Sequence, residues 1–347
     1  MNERRNPLYA LTRARILEFV REPEALFWVF AFPILMAVVL GFAFRDRPPD
    51  PVPVGVVQGP AAAGLTEALA KTGTTRPRTY PTLEEGLEGL RTGKITLLIR
   101  DDPKGLVYLF DRTRPDARIA RLEVDDAIQR ARGRTDPDPA TETLIHEKGS
   151  RYIDFLLPGI LGLNLMGTGI WGVGFSIVNA RLKKTLKLMV ATPMRKSDFL
   201  LAQILSRFFF LVLEVGVILV FGVLAFQVPI RGPLWVLGLS TVLGALCFAG
   251  IGLLVVARAR TLEAASGLMN LVMVPMWLLS GVFFSSDRFP KAAQPVIQAL
   301  PLTALNDALR AVMLEGKALP AISSELLILA LWGAVGFAVA LKIFRWQ

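Results

Sequence analysis

Apolar residues in this chain are gathered into long stretches that contain almost no charge. Five of these stretches reach the length of about 20 residues that a helix needs to cross about 30 Å of hydrocarbon, and a sixth nearly does. They cover approximately residues 24–44, 152–179, 199–227, 234–257, 264–284 and 323–342. The sequence therefore predicts an α-helical membrane protein with six transmembrane helices. The last is the shortest, because only 16 uncharged residues separate Glu325 from Lys342.

The segment 45–150 has a different pattern, in which short β-type runs are separated by helical ones. The β-type runs are Val52–Val57, Ile95–Ile99 and Leu106–Phe110, and the helical patterns lie at about 62–71, 82–92 and 116–131. The segment also holds 34 charged residues, so it belongs in water. We predict a small extracytoplasmic α+β domain here, between transmembrane helices 1 and 2, which is large enough to have its own core.

Residues 1–23, which precede the first apolar stretch, predict a helix that lies on the membrane surface. Its apolar side is formed by Leu8, Tyr9, Ile16, Phe19 and Val20, and its charged side by Arg15, Glu18, Arg21 and Glu22. We expect a cytoplasmic amphipathic elbow helix in the inner interface, ended by Pro23. A cleaved signal peptide fits less well, because the basic region is long and no small-residue cleavage site follows the apolar run.

Basic residues predict the orientation of the helices. The chain has 39 Lys or Arg and 29 Asp or Glu, but 17 of each sign lie within 45–150. If the N-terminus is inside, 15 Lys or Arg fall in the inner segments and five fall in the short outer segments. The inner segments are 1–23, 181–198, 258–263 and 342–347, and the short outer segments are 228–233 and 285–322. This asymmetry follows the positive-inside rule. We therefore expect a bacterial or archaeal cell-membrane protein with both termini cytoplasmic, and its net charge of +10 calls for no nucleic-acid partner.

Residue types that carry catalysis or bind metals are scarce. Cys247 is the only cysteine, which excludes a disulfide within the chain, and His146 is the only histidine. Asp136 and Asp138 form an Asp-x-Asp pair, but prolines interrupt it, and we interpret this stretch as a linker. The sequence therefore predicts neither a metal site nor a catalytic group.

The inner loop 181–196 carries a helical pattern of its own. Leu182, Leu186, Met189 and Val190 recur at helical spacing with lysines between them, and Thr192-Pro193 ends the pattern. This predicts a short amphipathic helix across the cytoplasmic mouth. Its apolar face can rest on lipid, or the helix can dock a cytoplasmic partner, and the pattern alone leaves both open.

Several stretches resemble the ABC-2 type permeases of ATP-binding-cassette exporters. They are the run from Arg181 to Met194 followed by Phe199–Leu205, then Pro275–Phe284, Phe289-Pro290 and Ala299–Arg310. The elbow helix, the large outer domain and the count of six helices are also similar to this family. The resemblance implies a permease half that pairs with a second permease subunit, as a homodimer or heterodimer, and with two copies of a cytoplasmic ABC ATPase.

By this resemblance the inner loop 181–196 is the coupling helix on which the ATPase pushes. The residues that would make this contact are Arg181, Lys183, Lys184, Leu186, Lys187, Met189, Thr192 and Pro193. Many members carry glutamates and a glycine where this chain has Ala180, Leu182 and Lys184, so we expect acidic residues on its ATPase. No phosphate-binding loop of the form Gly-x4-Gly-Lys-Ser/Thr occurs in the sequence. ATP and Mg would therefore be bound by the partner, and this chain would hold no cofactor.

Glu214 is the most costly residue of the predicted membrane helices, because a carboxylate at that depth needs a protein partner or water. Arg207 lies two helical turns away, about 10 Å, so direct contact between the two is not expected. Glu214 is either a structural acid at a helix interface or part of a translocation path. The resemblance implies that the second and fifth helices line such a path, which adds Asn164, Met166, Trp171, Asn270 and Met273.

The segment 285–316 is amphipathic and interrupted by prolines. By the resemblance it forms short re-entrant helices that close an outer gate, for which the candidate residues are Phe283, Phe284, Leu300 and Pro301. As a sequence pattern alone, the same segment is consistent with an ordinary outer loop.

The favoured function is that of a permease subunit, embedded among membrane lipids, which exports a hydrophobic or amphipathic substrate by alternating access. One alternative is a mechanical transmitter that acts on an envelope partner and moves no substrate. Another is a lipid-modifying membrane enzyme, but the chain lacks the convergent acids, histidines or metal ligands that such chemistry needs.

Overall fold

The computed structural model describes residues 7–44, 51–103, 105–135, 149–182, 196–259 and 261–343. The chain divides into two compact units, with boundaries at residues 45/46 and 145/146. One unit contains the long apolar helices, and the other is the inserted segment between them. The predicted linker with Asp136 and Asp138, and also His146, lie outside the described residues.

The described part of the chain begins with two helices. Helix α1 covers Pro7–Val20 and ends two residues before Glu22, the last residue of its predicted charged side. Helix α2 covers Pro23–Ala43 and has Pro23 in its first turn, where a missing backbone N–H costs nothing. It includes a π-helical stretch at Phe27–Ala31. Tyr9 and Val20 of α1 are 64 % and 49 % exposed, so part of its apolar face is unpartnered within the chain.

The inserted unit is a four-stranded mixed sheet with three helices. Its elements are β1 (Val52–Val57), α3 (Ala62–Lys71), β2 (Thr75–Tyr80), α4 (Leu83–Arg91), β3 (Leu97–Asp102), β4 (Gly105–Leu109) and α5 (Pro115–Ala131). The strand order is β2-β1-β3-β4. Strand β1 pairs in parallel with β2 and β3, whereas β4 is antiparallel to β3.

Both faces of this sheet carry an apolar core, because successive strand side chains point to opposite faces. Leu97 and Ile99 pack with α3 and α5 on one face, and Leu98 packs beside α4 on the other. Strand β2 was not predicted from the sequence. It consists of Thr-Arg-Pro-Arg-Thr-Tyr and has no apolar alternation. Its place at the sheet edge explains how it tolerates Pro77.

The remaining helices form the rest of the apolar unit. They are α6 (Tyr152–Leu182), α7 (Lys196–Phe226), α8 (Leu234–Val256), α9 (Leu262–Leu279), α10 (Gln294–Gln298), α11 (Pro301–Met313) and α12 (Ser323–Ile343). Within the described residues, six helices are long and apolar enough to cross a membrane, namely α2, α6, α7, α8, α9 and α12. The prediction of six such helices is confirmed. Helix α9 ends at Leu279, five residues before its predicted end, and is followed by a turn in which Gly281 has φ +68°.

Helix α6 is the central element of this unit. Its apolar part is 83 % buried, whereas the values for α2, α9 and α12 are each 22 %. The core around it includes Leu165 and Ile170 of α6, Phe248 of α8 and Leu305 of α11. The outer faces of the less buried helices are left for lipid or for other proteins.

Candidate translocation and gating site

Glu214 is fully buried on α7 and has a cationic partner on its own helix. The Nη2 atom of Arg207 lies 3.7 Å from Oε1 of Glu214, so the expectation that the two do not meet was wrong. The backbone rise between them is about 10 Å, but two extended side chains that point towards each other close this gap. The side chain of Arg207 is 31 % exposed and that of Glu214 is 0 % exposed.

Thr168 of α6 joins this pair from the neighbouring helix. Its hydroxyl accepts a hydrogen bond of 2.9 Å from Nη2 of Arg207. The same hydroxyl lies 3.3 Å from Oε1 of Glu214 and 3.0 Å from the carbonyl oxygen of Asn164, and its single hydrogen can serve only one of them at a time. Oε2 of Glu214 has no hydrogen-bond partner among the described atoms. The cluster is therefore held together but incompletely satisfied.

Three of the predicted path residues are packed inside the protein. Asn164 is 7 % exposed, and its Nδ2 donates a hydrogen bond of 3.2 Å to the carbonyl oxygen of Val29 on α2. Met166 and Met273 are 0 % and 2 % exposed and belong to the central core. A role for these three in a path stays a prediction.

The other two predicted path residues are more accessible. Trp171 is half-buried and stacks on Phe175 one turn away, with ring centroids 4.8 Å apart. Asn270 is exposed on α9, next to Leu271, which is 70 % exposed. An amide on an otherwise apolar outer face of a membrane helix is costly unless protein or water covers it.

A second polar cluster centres on Asn306 of α11, a helix buried along almost its whole length. Asn306 is 0 % exposed, and its Nδ2 donates a hydrogen bond of 3.0 Å to the carbonyl oxygen of Ser280, just beyond α9. Gly162 of α6 leaves room for the Asn306 amide, since a methyl group there would collide with Oδ1. Asn306 thus ties α11 to the end of α9 and fits only beside a glycine of α6.

Arg310, one turn after Asn306, makes the second set of contacts in this cluster. Its guanidinium carbon lies 3.7 Å from the centroid of the Phe155 ring, a cation–π contact. Nε donates to the carbonyl oxygen of Phe155 at 3.3 Å, and Nη2 donates to that of Gly281. Arg310 therefore connects α11 both to α6 and to the turn that ends α9.

Asp307 is the acid beside Arg310, with 3.7 Å between Nη1 and Oδ1. The Asp307 side chain is 49 % exposed, but the partial burial of its carboxyl raises the pKa to about 6, and the charge of Arg310 opposes this rise. Burial lowers the pKa of the Arg310 guanidinium to about 10. Arg310 consequently stays charged at neutral pH.

Asn306 and Arg310 were not among the site residues predicted from the sequence. A signal was present, because both lie among Leu302, Leu305 and Leu309 on a short helical pattern. Two polar residues four positions apart on an apolar helix predict a shared interior contact. Which partners they contact depends on α6 and α9, which are distant in sequence.

The predicted outer-gate residues lie at the two ends of the segment that joins α9 to α11. The carbonyl oxygen of Phe283 accepts a hydrogen bond of 2.9 Å from the hydroxyl of Tyr152 on α6. Phe284 lies 5.8 Å from Phe289, measured between ring centroids. Leu300 precedes α11, and Pro301 is its buried first residue.

Of the predicted coupling residues, only Arg181 lies within the described part of the chain. Its Nη1 donates a hydrogen bond of 2.7 Å to the carbonyl oxygen of Ala259, and its Nη2 donates one of 3.4 Å to that of Ala257. The other predicted contacts fall outside the described residues, namely Lys183, Lys184, Leu186, Lys187, Met189, Thr192 and Pro193.

Comparison with known families identifies the kind of protein that carries these clusters. A family sequence model described as ABC-2 family transporter protein matches residues 23–342. The chain belongs to this ABC-2 transporter family. The match begins at α2 and extends through α12, so this ABC-2 chain carries its six apolar helices within the family region.

Relatives of this ABC-2 chain include both eukaryotic and bacterial proteins. ABC transporter G family member 20 of Dictyostelium discoideum is 24 % identical over 339 residues, which cover 89 % of this chain and 46 % of that protein. Inner membrane transport permease YhhJ of Escherichia coli (strain K12) is 26 % identical over 238 residues, 65 % of this chain and 61 % of the relative. Probable multidrug ABC transporter permease YbhS of the same strain is 26 % identical over 166 residues, which cover 47 % of this chain and 44 % of that protein. The chain thus spans about half the length of these relatives.

Proposed function

We propose that this chain is the membrane permease subunit of an ATP-driven ABC exporter. The observation that carries this proposal is the family match across residues 23–342, which includes all six apolar helices. The relatives YhhJ and YbhS are named as permeases. Since these 347 residues hold no phosphate-binding loop, two copies of a cytoplasmic ATPase would bind ATP and Mg, and the permease would move without covalent chemistry.

A second permease subunit, identical or related, completes the proposed transporter. Asn270 supports this assembly, because its amide lies on an exposed apolar face of α9 and needs protein or water beside it. We place the translocation path at this face, with Trp171 and Asn270 towards the path. The other predicted path residues would then pack behind the residues that line the path, or would reach the path in another conformation. They are Glu214, Asn164, Met166 and Met273.

The Asn306–Arg310 cluster is proposed to hold the outer gate. It fastens α11 to the turn after α9 and to α6 through hydrogen bonds and one cation–π contact. Phe283, Phe284, Leu300 and Pro301 lie in the segment that these bonds hold. Opening outwards would require α9 and α11 to separate, which breaks these bonds.

The proposed topology follows the basic residues. Both termini would be cytoplasmic, α1 would be an elbow helix in the inner interface, and the mixed α/β unit would be extracytoplasmic. The 15 Lys or Arg assigned to the inner side, against five on the short outer segments, support this orientation.

A hydrophobic or amphipathic substrate is proposed from the same surfaces. Apolar and aromatic residues dominate the exposed face of α9, which carries Leu271, Val274 and Trp277. The relative YbhS bears the name of a probable multidrug ABC transporter permease. Lipophilic cations and lipids are therefore the first compounds to test.

The test is transport by the complex of this permease with its ABC ATPase, purified together and reconstituted in liposomes. ATP should drive movement of a lipophilic cationic dye such as ethidium, or of a fluorescent phospholipid, and an ATPase variant that binds but does not hydrolyse ATP should abolish it. If no ABC ATPase co-purifies with the permease, the proposal is contradicted.

A mechanical transmitter is the second candidate, and one observation favours it. Asn164, Met166 and Met273 are packed within the chain, so the predicted path residues do not form one open cleft. For a transmitter, the reconstituted complex would hydrolyse ATP without moving either the dye or the lipid. ATP would then change the exposure of residues in the α/β unit instead.

A further inference from the structure

Arg181 lies in the last turn of α6 and is also the first residue of the segment 181–196 that was assigned to the coupling helix. The described part of α6 ends at Leu182. A force applied to the following segment therefore reaches α6 through this turn. What Arg181 contacts decides which helices receive that force.

The guanidinium of Arg181 binds the backbone at the end of α8. It donates to the carbonyl oxygens of Ala259 and Ala257 at 2.7 and 3.4 Å. Carbonyls at the end of a helix lack intrahelical partners and carry the negative end of the helix dipole, so a cation is favoured there. Ala257 and Ala259 are 0 % and 5 % exposed, which shows that this backbone is itself packed and is not a free loop.

The same backbone leads directly into α9. Thr261 caps that helix, since its Oγ1 accepts a hydrogen bond of 3.2 Å from the N–H of Ala264. Ala257 and Ala259 therefore lie close in sequence to the capped first turn of α9. We expect a displacement of their carbonyls to move that first turn with them.

Helix α6 is also packed closely against α8 and α9 on the face that carries Arg181. Gly174 lies two turns before Arg181, and a methyl group on it would lie 3.1 Å from Cγ1 of Val256 on α8 and would collide with Met269 on α9. Val178, between the two, is 0 % exposed. Close packing thus holds α6, α8 and α9 together near Arg181, and the hydrogen bonds of Arg181 add to this packing at their cytoplasmic ends.

We propose that Arg181 is a positioning residue that fastens the cytoplasmic end of α6 to the connection between α8 and α9. This inference rests on the proposed ATP-driven function. A push on the segment after α6 then moves α9 together with α6. Without the two bonds of Arg181, the push bends the end of α6 and α9 lags behind. The role assigned to Arg181 is therefore within the permease, not at the surface of the ATPase.

The experiment places a fluorescent reporter on α9 and removes the bonds of Arg181. Cys247 is the only cysteine of this chain, so in the Cys247→Ala permease Leu271→Cys, at a 70 % exposed position of α9, is labelled alone with monobromobimane before the ATPase is added. A second reporter, Val220→Cys, is at a 57 % exposed position of α7. Bimane emission is measured in the permease–ATPase complex before and after ATP with vanadate.

Arg181→Gln should reduce the ATP-induced emission change at Leu271→Cys by about fivefold or more, while the Val220→Cys reporter on α7 keeps its response. Arg181→Lys should restore part of the response, because an ammonium keeps the charge but cannot span two carbonyls as a guanidinium does. Arg258→Gln is the matched control, since it removes a positive charge from the same connection at an exposed position. It should leave the response intact.

A full α9 response in Arg181→Gln overturns the proposal. So does loss of ATPase binding in that variant with the reporter sites intact, because Arg181 would then act at the ATPase surface. The Arg181→Lys variant controls for misfolding. If it folds and hydrolyses ATP but its α9 reporter responds no better than in Arg181→Gln, the role proposed for Arg181 is also contradicted. If the unsubstituted complex moves neither the dye nor the lipid with ATP, the proposed function itself fails, whereas transport without a response at Leu271→Cys overturns only this inference.

Discussion

Glu214 is bound by groups that arrive from two helices, Arg207 on α7 and Thr168 on α6. One carboxylate oxygen has no partner among the described atoms, and an unsatisfied charged acceptor is expensive to bury. The cluster therefore stabilises the contact between α6 and α7 less than a fully bonded one would. The positions of the Glu214, Arg207 and Thr168 side chains therefore depend on one another.

The pair of Glu214 and Arg207 should behave as one unit in a double-mutant cycle. Glu214→Gln and Arg207→Gln should each lower stability by about 1–2 kcal/mol, because each leaves the other charge without its counterpart. The double variant should lose less than the sum, with a coupling of about 1 kcal/mol. Unfolding of the purified protein in mixed detergent micelles measures this, and strictly additive losses would exclude a direct pair.

Substitution of Asn306 should lower stability far more than substitution of its neighbour Asp307. In Asn306→Asp a carboxylate oxygen replaces the Nδ2 donor and faces the Ser280 carbonyl, so stability should fall by about 3 kcal/mol. Asp307→Asn is the matched control, because that side chain is 49 % exposed and should cost little. The melting temperatures of the two purified variants decide this, and equal losses would argue against the hydrogen bond.

Asp307 should make stability depend on pH in a defined direction. Its pKa rises from 3.8 to about 6 in the folded protein, so the folded state binds a proton more readily than the unfolded state does. Protonation should therefore stabilise the fold increasingly as pH falls from 6 towards 4. When the pH is lowered from 7.5 to 5, the melting temperature of the wild-type protein should rise relative to that of Asp307→Asn. A difference that is independent of pH would disprove the raised pKa.

At the scale of elements, glycines set how closely the central helices approach one another. A methyl group on Gly252 of α8 would lie 2.9 Å from the Cα of Ile170 on α6. Gly336 of α12 is as close to the backbone of Gly250 on α8. Small residues at such crossings allow backbone packing in membranes, so α6, α8 and α12 form a closely packed core of the apolar unit.

Gly252→Ala should weaken this core although alanine favours helix formation. The added methyl group meets backbone atoms, which cannot rotate away, so we expect a loss of about 1–3 kcal/mol. Gly238→Ala, on the same helix with no atom within 4 Å of the added carbon, should leave stability unchanged or raise it. Thermal unfolding of both variants provides the comparison, and equal stability would contradict the close approach of α6 and α8.

At the scale of the whole molecule, the charge pattern predicts which segments face the cytoplasm. In the Cys247→Ala background, a cysteine in place of Val296, which is 64 % exposed, should react with a membrane-impermeant maleimide added to intact cells. A cysteine in place of Leu182, 49 % exposed at the end of α6, should react only after the cells are opened. The reverse pattern would invert the topology and separate the coupling segment from a cytoplasmic ATPase.

The long helices were predictable because the membrane imposes one simple requirement on sequence, a sufficient length of apolar residues. All six candidate spans lie close to the apolar stretches, including the last, for which the predicted stretch was the shortest. Strand β2 was not predictable in this way, since a polar edge strand with Pro77 has no alternation to reveal it. The end of α9 was also misjudged, because the apolar residues after Gly281 continue the pattern while the backbone turns.

The sequence by itself determined the membrane helices, the presence of a separate charged insertion and the asymmetry of basic residues, because each depends only on residue type along the chain. The tertiary structure decided which polar groups meet. Arg207 reaches Glu214 through side-chain length, Asn306 needs the space left by Gly162, and Arg181 binds carbonyls about 80 residues away. Contacts of this kind depend on the crossing of helices that are distant in sequence, which no local pattern of apolar and polar residues encodes.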